Sequence, residues 1–177
     1  MKYILNKLQE KTTNNFRVND IKLDLDLPEN FKFKKYEIKN NKLEITEEEK
    51  AENLTSKIGL TLNKYKELNI KVPKYFNAKE PIIIRYTFEE NNDLVENINI
   101  EYESSSSANI IFIYNSKDDT KSFHFFKENL IMKENSNATI SIINLINSNS
   151  ESFISIESNV KENASVTHNI IDLGGKI

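Results

Sequence analysis

The chain of 177 residues has no cysteine, three glycines, three prolines, two histidines and two arginines, Arg17 and Arg85. Each scarcity excludes something. Without cysteine there can be no disulfide, no thiolate nucleophile, no zinc–thiolate site and no cysteine-ligated iron–sulfur cluster. The P-loop, the dinucleotide-binding fingerprint and the nucleophile elbow all need glycines at set spacings, and none of these motifs is present. No run approaches the roughly 18 apolar residues of a membrane span. The opening MKYILNKLQEK has too short an apolar stretch for a secretory signal. A cytoplasmic protein is expected, with no membrane partner. A net charge of -3 supplies no basic face for tracking phosphates, so nucleic acid is not an expected partner either.

What is present suits a soluble globular chain: 38% hydrophobic and 29% charged residues, long enough for about one domain with a real apolar core. The second half reads as strands and turns, yet it lacks the glycine and proline that usually make the bends. Asn and Ser must take that place, because Asn tolerates the left-handed conformation and both can bond their own backbone.

Residues 1–79 read as a small mixed α/β region. Ile4, Leu5 and Leu8 fall at helical spacing, which predicts a short helix within 1–15. IKLDLDLP alternates strictly from Ile21 to Leu27, a half-buried strand ended by Pro28, and Phe31 and Phe33 continue the alternation. Lys32, Lys34 and Lys35 read as a solvated strand face. YEIKNNKLEI has the form of a hairpin around Asn40 and Asn41. TEEE at 46–49 has capping-box spacing, predicting a helix over about 47–57 closed by Gly59. Its three glutamates suit a first helical turn better than a metal site, because consecutive residues do not share a helix face.

From Pro81 the texture changes. PIIIRYTF is a β-branched and aromatic run, NINIEYE alternates, and the chain then repeats itself. EYESSSSANIIFIYNS (101–116), MKENSNATISIINLINS (132–148) and VKENASVTHNIIDLGG (160–175) each join an acidic or Lys-Glu opening to a Ser/Asn corner, a small residue and an apolar run. Matching Ala108, Ala138 and Ala164 gives spacings of 30 and 26, and SFHFFKEN (122–129) resembles SFISIESN (152–159) at an offset of 30. A unit of two short strands cannot bury its apolar face alone, whereas stacked units can, as in a solenoid. The predicted ladders are Ile110, Phe112, Tyr114; Ile140, Ile142, Asn144, Ile146; and Val166, His168, Ile170. The opposite parity (Ile111, Ile113; Ile143, Leu145; Ile171, Leu173) is also apolar, so both faces are covered or one awaits a partner. A Greek-key sandwich is the competing all-β architecture, but it would not require matched corners at a near-constant offset.

The catalytic inventory is thin. His124 alternates with Phe123 and Phe125 and so faces away from them, while His168 lies in a predicted ladder. Neither has an Asp, Glu or second histidine at a ligand-like spacing, and both read as hydrogen-bonded or exposed strand histidines rather than bases or ligands. Asp118 and Asp119 read as turn chemistry, and the serine run 104–107 as a solenoid corner. A carbohydrate-acting solenoid would need clustered carboxylates and more than two arginines. No catalytic, cofactor-binding or metal-binding residue is assigned.

EPIIIRYTF, ENINIEYESSSSANIIFIY, LIMKENSNATISIINL and ESNVKENASVTHNIIDLGGK together resemble the SufB/SufD family of iron–sulfur cluster assembly proteins. The likeness spans about residues 80–177 and includes the closing Leu173, Gly174 and Gly175. It implies a right-handed parallel β-helix from about residue 80, here truncated, that pairs with a related SufB/SufD-type subunit and works with a SufC-type ABC ATPase. The absence of cysteine places the chain nearer the SufD side. The implied role is a non-enzymatic scaffold that binds no cofactor itself, the cluster belonging to the full assembly. Family members run much longer, so a solenoid stopping at Ile177 is expected to cover its open end by self-association or with a partner. A structural or adhesive solenoid without cofactor chemistry is the alternative function.

Overall fold

The computed structural model describes residues 2–5, 21–24, 31–39, 43–55, 61–89 and 93–175, and these contain fourteen strands and no helix. Alternation drives the architecture. From Tyr65 onward nearly every second residue is apolar, so each strand has one face to bury, and successive strands bury it by facing each other across a thin core. Strands β7 (Tyr65–Val72), β9 (Leu94–Tyr102), β11 (Phe123–Met132) and β13 (Glu151–Val160) form one parallel stack. Strands β8 (Ile82–Phe88), β10 (Ser107–Ser116), β12 (Asn137–Leu145) and β14 (Ser165–Asp172) form the other. The chain alternates between the two stacks, so each pair of strands is one coil, and the whole is a β-solenoid of about four turns. The parallel stack begins with β7, upstream of residue 80.

Between the stacks lie the ladders, with Ile110 on Ile140, Phe112 on Ile142 and Tyr114 on Asn144. Phe112, Phe126, Ile140 and Ile142 are fully buried. The third coil corrects one alignment. Ala138 lies beside Val166, not Ala164, so the sequence offset between coils is 30 and then 28. Phe125 likewise lies on Phe153, an offset of 28 rather than 30. Parity survives a two-residue error, since strand faces alternate with period two, and the ladder residues therefore face inward as expected.

The corners explain how so few glycines suffice. Ser105, Asn135 and Asn163 occupy equivalent positions at successive coils, with φ of 59°, 59° and 53°. Tyr75 occupies the same place one coil earlier at φ 62°. Ser106 and Ser136 close their turns by donating from Oγ to the carbonyls of Glu103 and Lys133, both at 2.6 Å. Among the described residues, glycine serves a close approach at Gly174, where a Cβ would lie 1.8 Å from the Ile146 carbonyl oxygen, and a positive φ of 88° at Gly175.

The segment before Tyr65 departs most from expectation. Lys2–Leu5 is strand β1, paired antiparallel with β2 (Ile21–Asp24), where a helix was predicted; Leu8 lies outside the described residues. Residues 31–36 are irregular rather than a continued strand, although Phe31 is buried and Lys32 and Lys35 face solvent. Strand β3 (Glu37–Lys39) and strand β4 (Glu44–Lys50) form no hairpin with each other. β3 pairs antiparallel with β8 and β4 with β7, so they cap one end of each stack. Two unpaired edges are available there, and each takes a strand. The helix predicted over 47–57 is replaced by β4 and by β5 (Leu54–Thr55), which pairs with β6 (Thr61–Leu62); Gly59 lies outside the described residues. Glutamate's helix propensity loses to backbone pairing with β7, reinforced by Lys66–Glu47 at 2.9 Å and Lys64–Glu49 at 3.0 Å.

Candidate functional site

Inward positions along the solenoid are mostly apolar, but a line of polar side chains runs through them from the capped end to β13. It starts at Lys66, which shares a register row with Glu96 and Phe126 and so points into the core. The Lys66 ammonium lies 2.9 Å from Glu47, donates to the Lys34 carbonyl, and sits 4.5 Å above the Tyr36 ring. The Tyr36 hydroxyl donates to Glu96 Oε2 at 2.5 Å. Glu96 Oε1 meets His124 Nε2 at 3.0 Å, and His124 Nδ1 lies 3.1 Å from the Ser152 hydroxyl. Glu96 and His124 are both 0% exposed. The line thus runs from the cap across all four coils, through β7, β9, β11 and β13.

Strand alternation puts Lys66, Glu96, His124 and Ser152 there, and the irregular segment 31–36 brings Tyr36 to them. Phe123 and Phe125 turn outward into a second apolar cluster with Phe31, Leu54, Leu62, Tyr65 and Val95; His124 faces away from them, as the alternation predicted, and that side is the core. Tyr114 packs its ring 4.2 Å from the imidazole, and Phe88 lies 5.5 Å away on edge. Burial raises the phenol pKa of Tyr36 well above 10.0, and the Glu96 charge and the hydrogen bond to it raise it further. Tyr114 is raised the same way, first by burial and then by Glu96.

A second pair repeats the theme. Glu128, buried on β11, meets His168 Nε2 from β14 at 2.8 Å, while its Oε2 has no hydrogen-bond partner. Both histidines are therefore hydrogen-bonded strand residues, each with a carboxylate partner that no ligand-like spacing in the sequence announced. The signal was in the sequence, but near the repeat period: Glu96 and His124 are 28 residues apart, about one coil. In a solenoid, neighbours are found by coil offset rather than by local spacing.

Chemically, Ser152, His124 and Glu96 form a hydroxyl–imidazole–carboxylate chain. A nucleophile of that kind must reach a substrate, and this imidazole and carboxylate are closed off from solvent. The arrangement fits a polar core in which Lys66, Tyr36, Glu96, His124 and Ser152 satisfy one another and hold the coil register, while the Tyr114 hydroxyl beside them and Glu128 Oε2 are left without a hydrogen-bond partner. Among the described residues, no three His, Asp or Glu side chains gather as a metal site.

Outside, β7, β9 and β11 carry an asparagine ladder. Asn99 donates to Asn69 at 2.8 Å, and Asn129 donates to Asn99 at 2.9 Å and to Asn97 at 2.8 Å. The ladder lines an open groove of about 430 Å³, flanked by Lys71, Glu101 and Ile131. Lys133 and Lys71 bridge to Glu103 at 2.9 and 3.2 Å and hold its carboxyl below the usual range. The remaining sequence candidates are structural. Lys34 pairs with Glu89, and Asp118 Oδ1 accepts the Thr120 N–H at 3.0 Å, an ordinary Asx turn. The serines at 104–107 form a corner, and Arg85 lies exposed on β8. Arg17 lies outside the described residues.

Fold and site together define a short β-solenoid with a polar line through its core and a cap on one end. Compared with family models, curated proteins and solved structures, the chain matches none.

Proposed function

We propose that this chain is a non-enzymatic scaffold subunit of a Suf-type iron–sulfur cluster assembly system, working with a related SufB/SufD-type subunit and a SufC-type ABC ATPase in the cytoplasm. The observation that carries the reading is the equivalence of the corners. KENS at 133–136 and KENA at 161–164 sit one above the other at successive coils, and their amides bond coil to coil, Asn135 N–H to the Glu162 carbonyl at 3.2 Å. These are the residues on which the family resemblance rests, and they serve as rungs of a rigid stack. A scaffold needs rigid, addressable surface more than a cleft. The inward polar groups bonded to one another and the outward ladders suit that use. The cluster and its sulfur chemistry belong to the partners, since this chain offers no thiolate.

The test is affinity recovery of the native gene product from its own cells under mild conditions. Co-recovery of an ABC-type ATPase together with a second solenoid subunit is expected. Recovery with envelope or virion components and no ATPase would overturn the reading in favour of a structural solenoid.

A further inference from the structure

The outward face of β8, β10, β12 and β14 is unlike the rest of the surface. Its central row runs Arg85, Ile113, Ile143, Ile171 across the four strands in register, with Ile111 and Leu145 diagonally beside it. Leu145 and Ile171 are each 43% exposed. Every outward position on β10, β12 and β14 is Ser, Thr, Asn, Ile or Leu, in a chain of which 29% is charged. Charge returns only at one margin, with Arg85 on β8 and Glu37 and Lys39 on the capping strand β3. The outward face of the other stack instead carries Glu67, Lys71, Glu101, Lys127 and Glu157.

We infer that this uncharged face is where two copies of the chain pair, sheet against sheet. A partner that brought charge here would lose hydration and find no countercharge, which is costly. The chain's own copy brings a flat face of the same width, charged only by Arg85 at its margin. A two-fold axis lying in the face, parallel to the strands and between β10 and β12, sets Ile113 of each copy against Ile143 of the other. It lays β8 over β14, so the two Arg85 side chains fall at opposite ends and do not repel. Such a contact is isologous and closed, and it leaves the sheet edges free. Four strands at their normal spacing and four outward rows give about 500 Å² on each copy. The total of about 1,000 Å² is at the lower limit for a specific interface, so the dimer is weak and reversible.

The inference does not rest on the assembly role proposed above; recovery without an ATPase would leave it standing. Sedimentation equilibrium of the full chain, from about 5 µM to about 1 mM, tests it. A reversible monomer–dimer equilibrium with a dissociation constant in the micromolar range is expected for an interface this small. Ile143→Glu places an acid against Ile113 on both sides of the axis and should weaken the dimer about tenfold or more. Ile143→Thr keeps a β-branched strand residue, guards against misfolding, and should weaken it several-fold. Val160→Glu, on the edge strand β13 away from this face, should leave it unchanged. A monomer throughout, a dimer indifferent to both Ile143 variants, or a dimer lost with Val160→Glu would each overturn the assignment.

Discussion

Tyr36→Phe removes a single oxygen from the buried line and little else. The ring keeps its edge contact with Tyr86 at 5.7 Å and its place under the Lys66 ammonium at 4.5 Å. What is lost is the hydroxyl that donates to Glu96 Oε2 at 2.5 Å, inside a core closed to water. A hydrogen bond to a buried charge contributes about 1.5–3 kcal/mol, and breaking a buried ion pair outright costs about 3–5 kcal/mol. His124 still holds the other oxygen, so the lower range applies, about 2 kcal/mol. Urea unfolding followed by far-ultraviolet circular dichroism would read this as a midpoint lower by roughly 1 M. The same substitution on a Glu96→Gln background should cost about 1 kcal/mol less, because no charge is left unsolvated. A Tyr36→Phe protein within about 0.5 kcal/mol of the parent, or an equal loss on both backgrounds, would refute the claim that this carboxylate depends on the cap.

Alkali should unfold the protein cooperatively. Burial holds Tyr36, Tyr86, Tyr102 and Tyr114 above the ordinary 10.0, and burial with a hydrogen bond to Glu52 takes Tyr65 to about 12. The folded state then keeps protons that the unfolded chain releases, so this contribution is intact below pH 10.0 and is lost as pH rises through the folded values. Tyrosinate absorbance should therefore rise in a step that coincides with loss of the strand dichroism; independent titration of these five near 10 would contradict it. At the corners, Asn135→Val should destabilise by about 1–2 kcal/mol, because a β-branched residue is forced to positive φ. Tyr75→Asn, at a position 72% exposed, should stabilise by up to about 1 kcal/mol, read in the same urea titration.

Much of the solenoid was legible because its signal is redundant. Each ladder residue is apolar in several coils, so Ile110, Ile140 and their neighbours face inward whether the third unit is aligned on Ala164 or on Val166. Two corners were legible through chemistry, since Asn135 and Asn163 are of the type that tolerates positive φ, and the Ser104–Ser107 corner through hydroxyls that bond their own backbone, whereas Tyr75 gave no such signal. The cap was not legible. Its segments are short, charged and locally ambiguous, and TEEEK reads as a helix start until an unpaired β7 edge is placed beside it. The Glu96–His124 pair was equally hidden, because its partners come together only once the coil length is known.

The sequence alone determined that the chain repeats about every coil, the inward and outward faces and most of the residues that turn the corners, since these follow from side-chain alternation and local backbone preference. Only the tertiary structure decided that the offset between coils shortens from 30 to 28, which strands close the first coil, and which buried acids meet which histidines. Those outcomes depend on partners distant in sequence, and local propensity carries no information about them.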